Sequence, residues 1–310
     1  MFSKPKLLTK HLRSLITESK LEPISAASKV IFFKNDIFRR RFSEFPTYSP
    51  STNKELNQLK AEETNQKLIT KPFTVIVEGN VGSGKTTFLN RFMQNSNVNR
   101  NNTLPEHVEV VPEPVSKWQN LHGSNLLQLM YEDPKRWSLM FQSYVHLTMV
   151  QQHTNIQSTK PIRMMERSLF SARYCFNENL YRNGYLTDTE YAALTEWFDF
   201  LINCPKLNFQ VDQIVYLRTS PEVAYERIKK RSRSEETSVP FSYIKDLHEL
   251  HENWLVRQTK FNLPAPVTII DANQDLEVLS ETYNDQGKKL LTAAKNKIFE
   301  NVSIIRNVFI

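Results

Sequence analysis

Glycine and cysteine are scarce in this chain: six glycines and two cysteines among 310 residues. The cysteines, Cys175 and Cys204, lie far apart and form no paired-cysteine metal spacing. A disulfide scaffold is excluded, and the pair fits free thiols in a reducing compartment. So little glycine also excludes a collagen-like repeat. No run of 18 apolar residues occurs, so no transmembrane helix is expected. Acid is missing from the first 17 residues, whose first carboxylate follows as Glu18. What remains is ordinary for a soluble globular protein: 40% hydrophobic and 24% charged, on a chain long enough for a sizeable core.

Two of these features, the glycines and the charge, are unevenly placed. Gly79, Gly82 and Gly84, half of all the glycines, fall within six positions. The formal charge of +7 is concentrated in residues 1–70, which hold 13 Lys or Arg against 7 Asp or Glu; the remaining 240 residues net only +1. A body so nearly neutral carries no broad basic face, so nucleic acid is not expected as a partner. Nor is a membrane.

Residues 1–70 read as a basic extension and linker. Leu8, Leu12, Leu15 and Ile16 share one helical face among Lys4, Lys6, Lys10 and Arg13. A basic, hydroxyl-bearing, acid-poor amphipathic start has the character of a mitochondrial transit peptide. Arg40-Arg41-Phe42-Ser43 places an arginine three residues before a cut after Phe42, which sets the expected leader at 1–42. The alternative is a solvated extension whose Arg39–Arg41 run is incidental or a weak nuclear signal, leaving a cytoplasmic or nuclear protein. Residues 43–70 are polar, with Pro46 and Pro50, and read as linker.

From Pro72 onward, short β-branched runs alternate with helical patterns. Strands are expected at Phe73–Glu78, His107–Val111, Ile162–Met165, Gln213–Leu217 and Val267–Ile270. Helices are expected at Lys85–Met93, Ser124–Tyr131, Pro134–Ser158, Phe170–Asn183, Asp188–Asn203, Pro221–Arg231 and Tyr243–Arg257. That alternation predicts an α/β domain over residues 71–275 with a five-stranded parallel sheet flanked by helices. Residues 276–310 are expected to add one helix and a short apolar tail.

Gly79-Asn80-Val81-Gly82-Ser83-Gly84-Lys85-Thr86, followed by Thr87, fits G-x-x-x-x-G-K-[ST] between a strand and a helix. Ringing a diphosphate with backbone N–H groups requires dihedrals that glycine tolerates, and the following helix contributes its positive end. Lys85 can reach the β- and γ-phosphates, and Thr86 can place its hydroxyl on Mg²⁺. The loop alone leaves the acceptor open. A GTPase would carry Asn-Lys-x-Asp, and no such string occurs.

Three further segments bear on the acceptor. Glu113, in Pro112-Glu113-Pro114-Val115, follows the second strand, where α/β sheets bind ligands, and its carboxylate can take a hydroxyl proton. Taken alone it is more simply a surface glutamate between turn prolines. After the third strand, Glu166 can serve Mg²⁺ beside Thr86, while Arg167 can bind phosphate or hold Glu113 ionised; the plainer alternative is a structural ion pair. The bases Arg227, Arg231 and Arg233 can close on a migrating phosphoryl group, although taken alone they are more simply a solvated helix end, where the helix dipole favours them.

In combination, the stretches PFTVIVEGNVGSGKTTFLNRF, EPVSKW, NLLQLMYEDP, FQSYV, MERSLFSARYCF, YLRTSPEVAYERI and RSRSEE closely resemble the deoxyribonucleoside kinase family, in that family's order, over about two thirds of the chain. The resemblance implies a P-loop kinase with an Arg-rich lid, using ATP and Mg²⁺ to phosphorylate the 5′-hydroxyl of deoxynucleosides. It implies Glu113 as the base, Arg167 beside the hydroxyl and the transferred phosphate, and Arg227, Arg231 and Arg233 as lid. Glu236 and Tyr131 would bind the 3′-hydroxyl, Gln142 would read the base edge and Phe176 would stack on it. Trp118, Met130, Phe141 and Met149 would wall the pocket. Ala172 stands where the family's deoxycytidine kinases have Asp, which implies room for a thymine methyl, with thymidine and deoxycytidine favoured over purine deoxynucleosides. The family also implies a homodimer pairing Pro134–Ser158 with Asp188–Asn203, and feedback inhibition by a deoxynucleoside triphosphate.

Three rivals remain at this point. A nucleoside monophosphate kinase would need acceptor-phosphate arginines where Gln142, Tyr131 and aromatics stand. A non-catalytic regulatory subunit would not need Lys85, Thr86, Glu113, Glu166 and Arg167 together. A nucleic-acid binder, suggested by the pI, is undermined by the near-neutral body.

Overall fold

The structure is a computed structural model that describes residues 72–93, 107–155 and 160–308. The basic extension, its cleavage-like segment and the linker lie outside the described residues, which all belong to one compact unit, Lys60–Ile310. Among the described residues no helix is long and apolar enough to cross a membrane.

Five parallel strands form one sheet: β1 (Phe73–Glu78), β2 (Val108–Val111), β3 (Ile162–Glu166), β4 (Gln213–Arg218) and β5 (Val267–Asp271), in the order β2-β3-β1-β4-β5. The expected five-stranded parallel sheet is present, with bounds shifted by a residue at several ends. Central β1 is buried along its whole length, as its unbroken β-branched sequence requires. Side-chain alternation sends Val75 and Val77 into one core and Ile76 into the other.

Helices cover both faces. On the Val75 side lie α1 (Lys85–Met93), through Phe88, Leu89 and Phe92, and α9 (Leu276–Val308), through Leu279, Tyr283, Leu290 and Ala294. The residues expected as an apolar tail are therefore helical through Val308, and this last helix shares the core of the sheet. On the Ile76 side lie α2 (Val115–Gln119), α3 (Leu126–Glu132), α4 (Pro134–Thr154) and α8 (Phe241–Leu255). The remaining helices are α5 (Leu169–Arg182), α6 (Asp188–Asn203) and α7 (Pro221–Arg231). Boundary chemistry explains several starts. Asp133 caps α4 with Pro134 in its first turn, Ser220 caps α7 before Pro221, and Thr187 forms a capping box with Glu190 ahead of α6.

Two elements differ from the sequence expectation. The segment after Glu113 contains the short helix α2, too brief for periodicity to reveal. The expected helix Phe170–Asn183 is composite: α-helical at Leu169–Ser171 and Glu178–Arg182, π-helical at Ala172–Asn177. A π turn aligns residues five apart, so Ser171 and Phe176 face the same cavity.

Candidate active site

The carboxyl ends of neighbouring strands β1 and β3 project the phosphate loop and the Glu166-Arg167 pair toward one another. Gly79 has a φ of 148°, and a Cβ there would lie 2.7 Å from the Leu217 carbonyl oxygen. At Gly82 the φ is 77°, and a Cβ would lie 2.4 Å from the carbonyl oxygen of Ala224 in α7. The loop is also tied to α8, because Asn80 Nδ2 donates to the Ile244 carbonyl at 2.7 Å. Lys85 Nζ donates to the carbonyls of Asn80 (2.8 Å) and Gly79 (3.2 Å). Burial, reinforced by neighbouring Arg167, pushes the Lys85 ammonium down to about 7.

Arg167 occupies the left-handed region with a φ of 61°, a conformation costing about 1–3 kcal/mol. Its backbone N–H donates to the Val77 carbonyl at 3.0 Å and its Nη1 to the Gly79 carbonyl at 3.1 Å. The turn directs Nε to within 3.0 Å of Glu113 Oε1, forming an ion pair. Desolvation in the cleft raises the Glu113 carboxyl above its ordinary value, while Arg167 pulls it back. The guanidinium also lies over the Phe176 ring, 4.6 Å from its centroid. Thr86 Oγ1 donates to Glu166 Oε1 at 2.8 Å. A hydroxyl and a carboxylate at the end of a phosphate loop are hard oxygen ligands, so this pair fits Mg²⁺.

A cavity of about 560 Å³ opens over these groups, a volume suited to a small organic ligand. From the phosphate loop it receives Val81, Gly82, Gly84, Lys85, Thr86 and Thr87, whereas Gly79, Asn80 and Ser83 support the loop from outside the lining. Glu113, Glu166 and Arg167 line it as well. Helix α4 presents Phe141, Gln142, Val145 and Met149 on one helical face, and α2 and α3 contribute Trp118, Met130 and Tyr131. Ala172 and Phe176 enter from the π segment. Gln142 is buried, and among the described residues its Oε1 has no hydrogen-bond partner. Trp118, by contrast, is satisfied within the protein: its Nε1 donates to Thr148 Oγ1 at 3.0 Å, and its ring meets Phe141 edge-on.

Arg227, Arg231, Arg233 and Glu236 also belong to the lining. Arg231 Nη2 lies 2.6 Å from both Glu236 oxygens, and Arg233 Nη1 is 3.4 Å from Oε1. Arg227 turns its guanidinium to the carbonyls of Ala272, Asn273 and Gln274. Adjacent Glu235 lies outside the lining and accepts from Gln119 Nε2 (2.8 Å) and Asn125 Nδ2 (2.9 Å). Asn125, the backbone and Gln119 hold this carboxyl down to about 2.

Several lining residues escaped the sequence reading. Val145 was recoverable, since it sits between Gln142 and Met149 at helical spacing. Tyr243, in the first turn of α8, meets Tyr131 edge-on with centroids 6.3 Å apart; nothing local in the sequence connects two residues so far apart. Glu78 is fully buried just behind the cavity, and burial pushes its carboxyl up to about 7 against the opposing pull of Ser168 and Arg167.

Comparison with known proteins accords with this geometry. The chain is 44% identical over 227 residues to "Thymidine kinase 2, mitochondrial" of Homo sapiens, covering 73% of this chain and 81% of that protein. To the Macaca fascicularis protein of the same name it is 42% identical over 228 residues, covering 74% and 81%. To "Deoxycytidine kinase" of Mus musculus it is 33% identical over 270 residues, covering 79% and 95%. A family model described as "Deoxynucleoside kinase" matches residues 75–296, which run from within β1 to within α9 and include the phosphate loop, the Glu113–Arg167 pair, Arg227, Arg231 and Arg233. The family model and the relatives agree with the fold: the chain belongs to the deoxynucleoside kinase family.

Proposed function

We propose that this kinase transfers the γ-phosphoryl group of ATP to the 5′-hydroxyl of deoxyribonucleosides, yielding 5′-monophosphates for nucleotide salvage. Thymidine and deoxycytidine are the best acceptors in this reading, and purine deoxynucleosides are weaker. The observation that carries it is a single cavity holding Lys85, the Glu113–Arg167 pair and the buried, unpartnered amide oxygen of Gln142.

Glu113 accepts or orients the proton of the 5′-hydroxyl, and Arg167 keeps it ionised while facing the transferred phosphate. Lys85 and the lid arginines Arg227, Arg231 and Arg233 stabilise charge on the migrating group; Arg227, whose guanidinium bonds the Ala272, Asn273 and Gln274 carbonyls, must leave them to do so. Thr86 and Glu166 would hold Mg²⁺, which supplies charge neutralisation on the phosphate oxygens when bound. Gln142 pairs with the pyrimidine edge, its amide presenting donor and acceptor in either order. Phe176 stacks on the base, and small Ala172 leaves room for a thymine methyl. Tyr131 and Glu236 take the 3′-hydroxyl, and Tyr131 crowds a ribose 2′-hydroxyl.

Met140 and Leu147 of α4, with Trp197 and Phe200 of α6, are each more than half exposed. Large apolar side chains on two adjacent helices support the homodimer reading. A deoxynucleoside triphosphate would inhibit by placing its nucleoside in the acceptor pocket and its phosphates on the loop. The mitochondrial reading rests on residues 1–42 and on the names of two relatives; N-terminal sequencing of protein from its own cells tests it.

Phosphorylation of the four deoxynucleosides with Mg-ATP, alongside thymidine monophosphate as acceptor, tests the activity. Turnover of thymidine and deoxycytidine above the purines is expected. Preferential use of the monophosphate, or no turnover of any nucleoside, would overturn the reading.

A further inference from the structure

Glu78 ends β1, lies outside the lining of the cavity, and is fully buried. Its Oε1 accepts from Ser168 Oγ at 2.6 Å. Its Oε2 is equally buried and has no hydrogen-bond partner among the described residues. A carboxylate taken out of water with one oxygen unsatisfied is expensive unless a cation compensates it. The cations that act on it are Arg167 and Lys85.

Its flanking residues have a related role. Val77 O accepts the Arg167 backbone N–H, and Gly79 O accepts Arg167 Nη1. Three consecutive residues at the end of β1 thus hold Arg167-Ser168: one by the Arg167 backbone, one by the Ser168 hydroxyl, one by the Arg167 guanidinium. Ser168 Oγ also accepts from Ser171 N at 3.2 Å, so the Glu78 contact extends into the cap of α5. The object held is a left-handed, non-glycine residue, which needs such restraint to persist.

We propose that Glu78 is a positioning residue for phosphoryl transfer, fixing through Ser168 and the Arg167 guanidinium the turn that presents Arg167 to Glu113. This rests on the roles proposed for Arg167 and Glu113. Glu78 touches neither reactant. Removing its charge leaves the shape of the cavity intact and loosens the aim of one guanidinium, which alters turnover more than binding.

The test, run above about pH 8 where the Glu78 carboxyl is ionised, is a double-mutant cycle on the full chain with Mg-ATP and thymidine: wild type, Glu78→Gln, Arg167→Lys and the double variant, each with a melting curve. Gln keeps the side-chain shape and an oxygen for Ser168, and removes the charge. Glu78→Gln is expected to lower kcat about 10- to 100-fold, with KM for thymidine within about twofold. In the Arg167→Lys background the same substitution should change kcat little, because the residue it acts through is already displaced. An unchanged kcat in Glu78→Gln, or an equal loss in both backgrounds, overturns the inference. If Glu78→Gln does not fold, Ser168→Ala runs the same cycle from the other end of the contact with the same expected non-additivity. An inactive wild type, or Arg167→Lys with wild-type kcat, sinks the underlying reading and the inference with it; an active wild type and a damaged Arg167→Lys with an additive cycle sink the inference alone.

Discussion

Replacing Gly82 by alanine separates two costs that coincide in most loop substitutions. Gly82 and Gly84 both lie in the phosphate loop with positive φ, 77° and 92°. Alanine at either position pays the left-handed penalty of about 1–2 kcal/mol. At Gly84 a new Cβ meets nothing within 4 Å, so the cost ends there. At Gly82 it would lie 2.4 Å from Ala224 O and 3.0 Å from Ile228 Cγ1. The first neighbour is backbone in α7 and cannot swing aside, so loop and helix must separate. Overpacking of this kind adds about 1–3 kcal/mol. At roughly 2–4 °C per kcal/mol, Gly82→Ala should melt about 2–12 °C below Gly84→Ala. Calorimetry of both variants without nucleotide in one buffer measures the difference directly. Equal melting temperatures would refute the argument, because they would mean that α7 does not press on the loop.

Three other outcomes follow from the same geometry. Glu113→Gln should keep thymidine binding and lose about 10²–10⁴-fold in kcat; near wild-type turnover would remove Glu113 as the base. Ala172→Asp should shift the kcat/KM ratio toward deoxycytidine, and an unchanged ratio would reject the account of that position. Stability should fall on acidification, since burial lowers His146 to about 4 and both His153 and His251 to about 3, from an ordinary 6.5. Their contribution is complete above about 6.5 and is lost as pH falls towards the folded values, by roughly 1 kcal/mol per histidine per pH unit. Glu78, raised to about 7, opposes this between about 4.5 and 7, and Glu113, also raised by burial, opposes it in the same direction, but they are two groups against three. The urea midpoint should therefore drop between about pH 6.5 and 5, and a flat midpoint would contradict neutral burial of the histidines.

Much of this protein is written locally. The strand before Gly79, the phosphate loop and the helix after it follow from residue order, because a β-branched run, clustered glycines and an apolar helical face each specify one conformation. Glu113, Arg167, Gln142 and Ala172 could be placed in sequence and are brought to one cavity by the sheet order. What was hidden is what depends on distant partners. Tyr243 reaches the cavity only through the docking of α8, and Glu78 reads as a polar strand end until Ser168 closes on it. The π segment is hidden for another reason: its residues are ordinary helix formers, and only tertiary packing selects the wider turn.

The attachment of the phosphate loop to both α7 and α8 has a mechanical consequence. Asn80 fastens the loop to the carbonyl of Ile244, and Gly82 rests on Ala224, one on each side of Arg233 in sequence. Residues 232–240 are therefore a strap anchored at both ends, whose travel is set by its length. Arg231 ends the anchored helix and Arg233 rides on the strap, so under the proposed lid role Arg233 can advance or retreat only by the slack in that strap, while the anchors stay with the phosphate loop. If the proposed lid role holds, lengthening it by a few glycine and serine residues should change the rate of product release while leaving ATP affinity in place, which would make turnover tunable by loop length independently of the chemistry beneath.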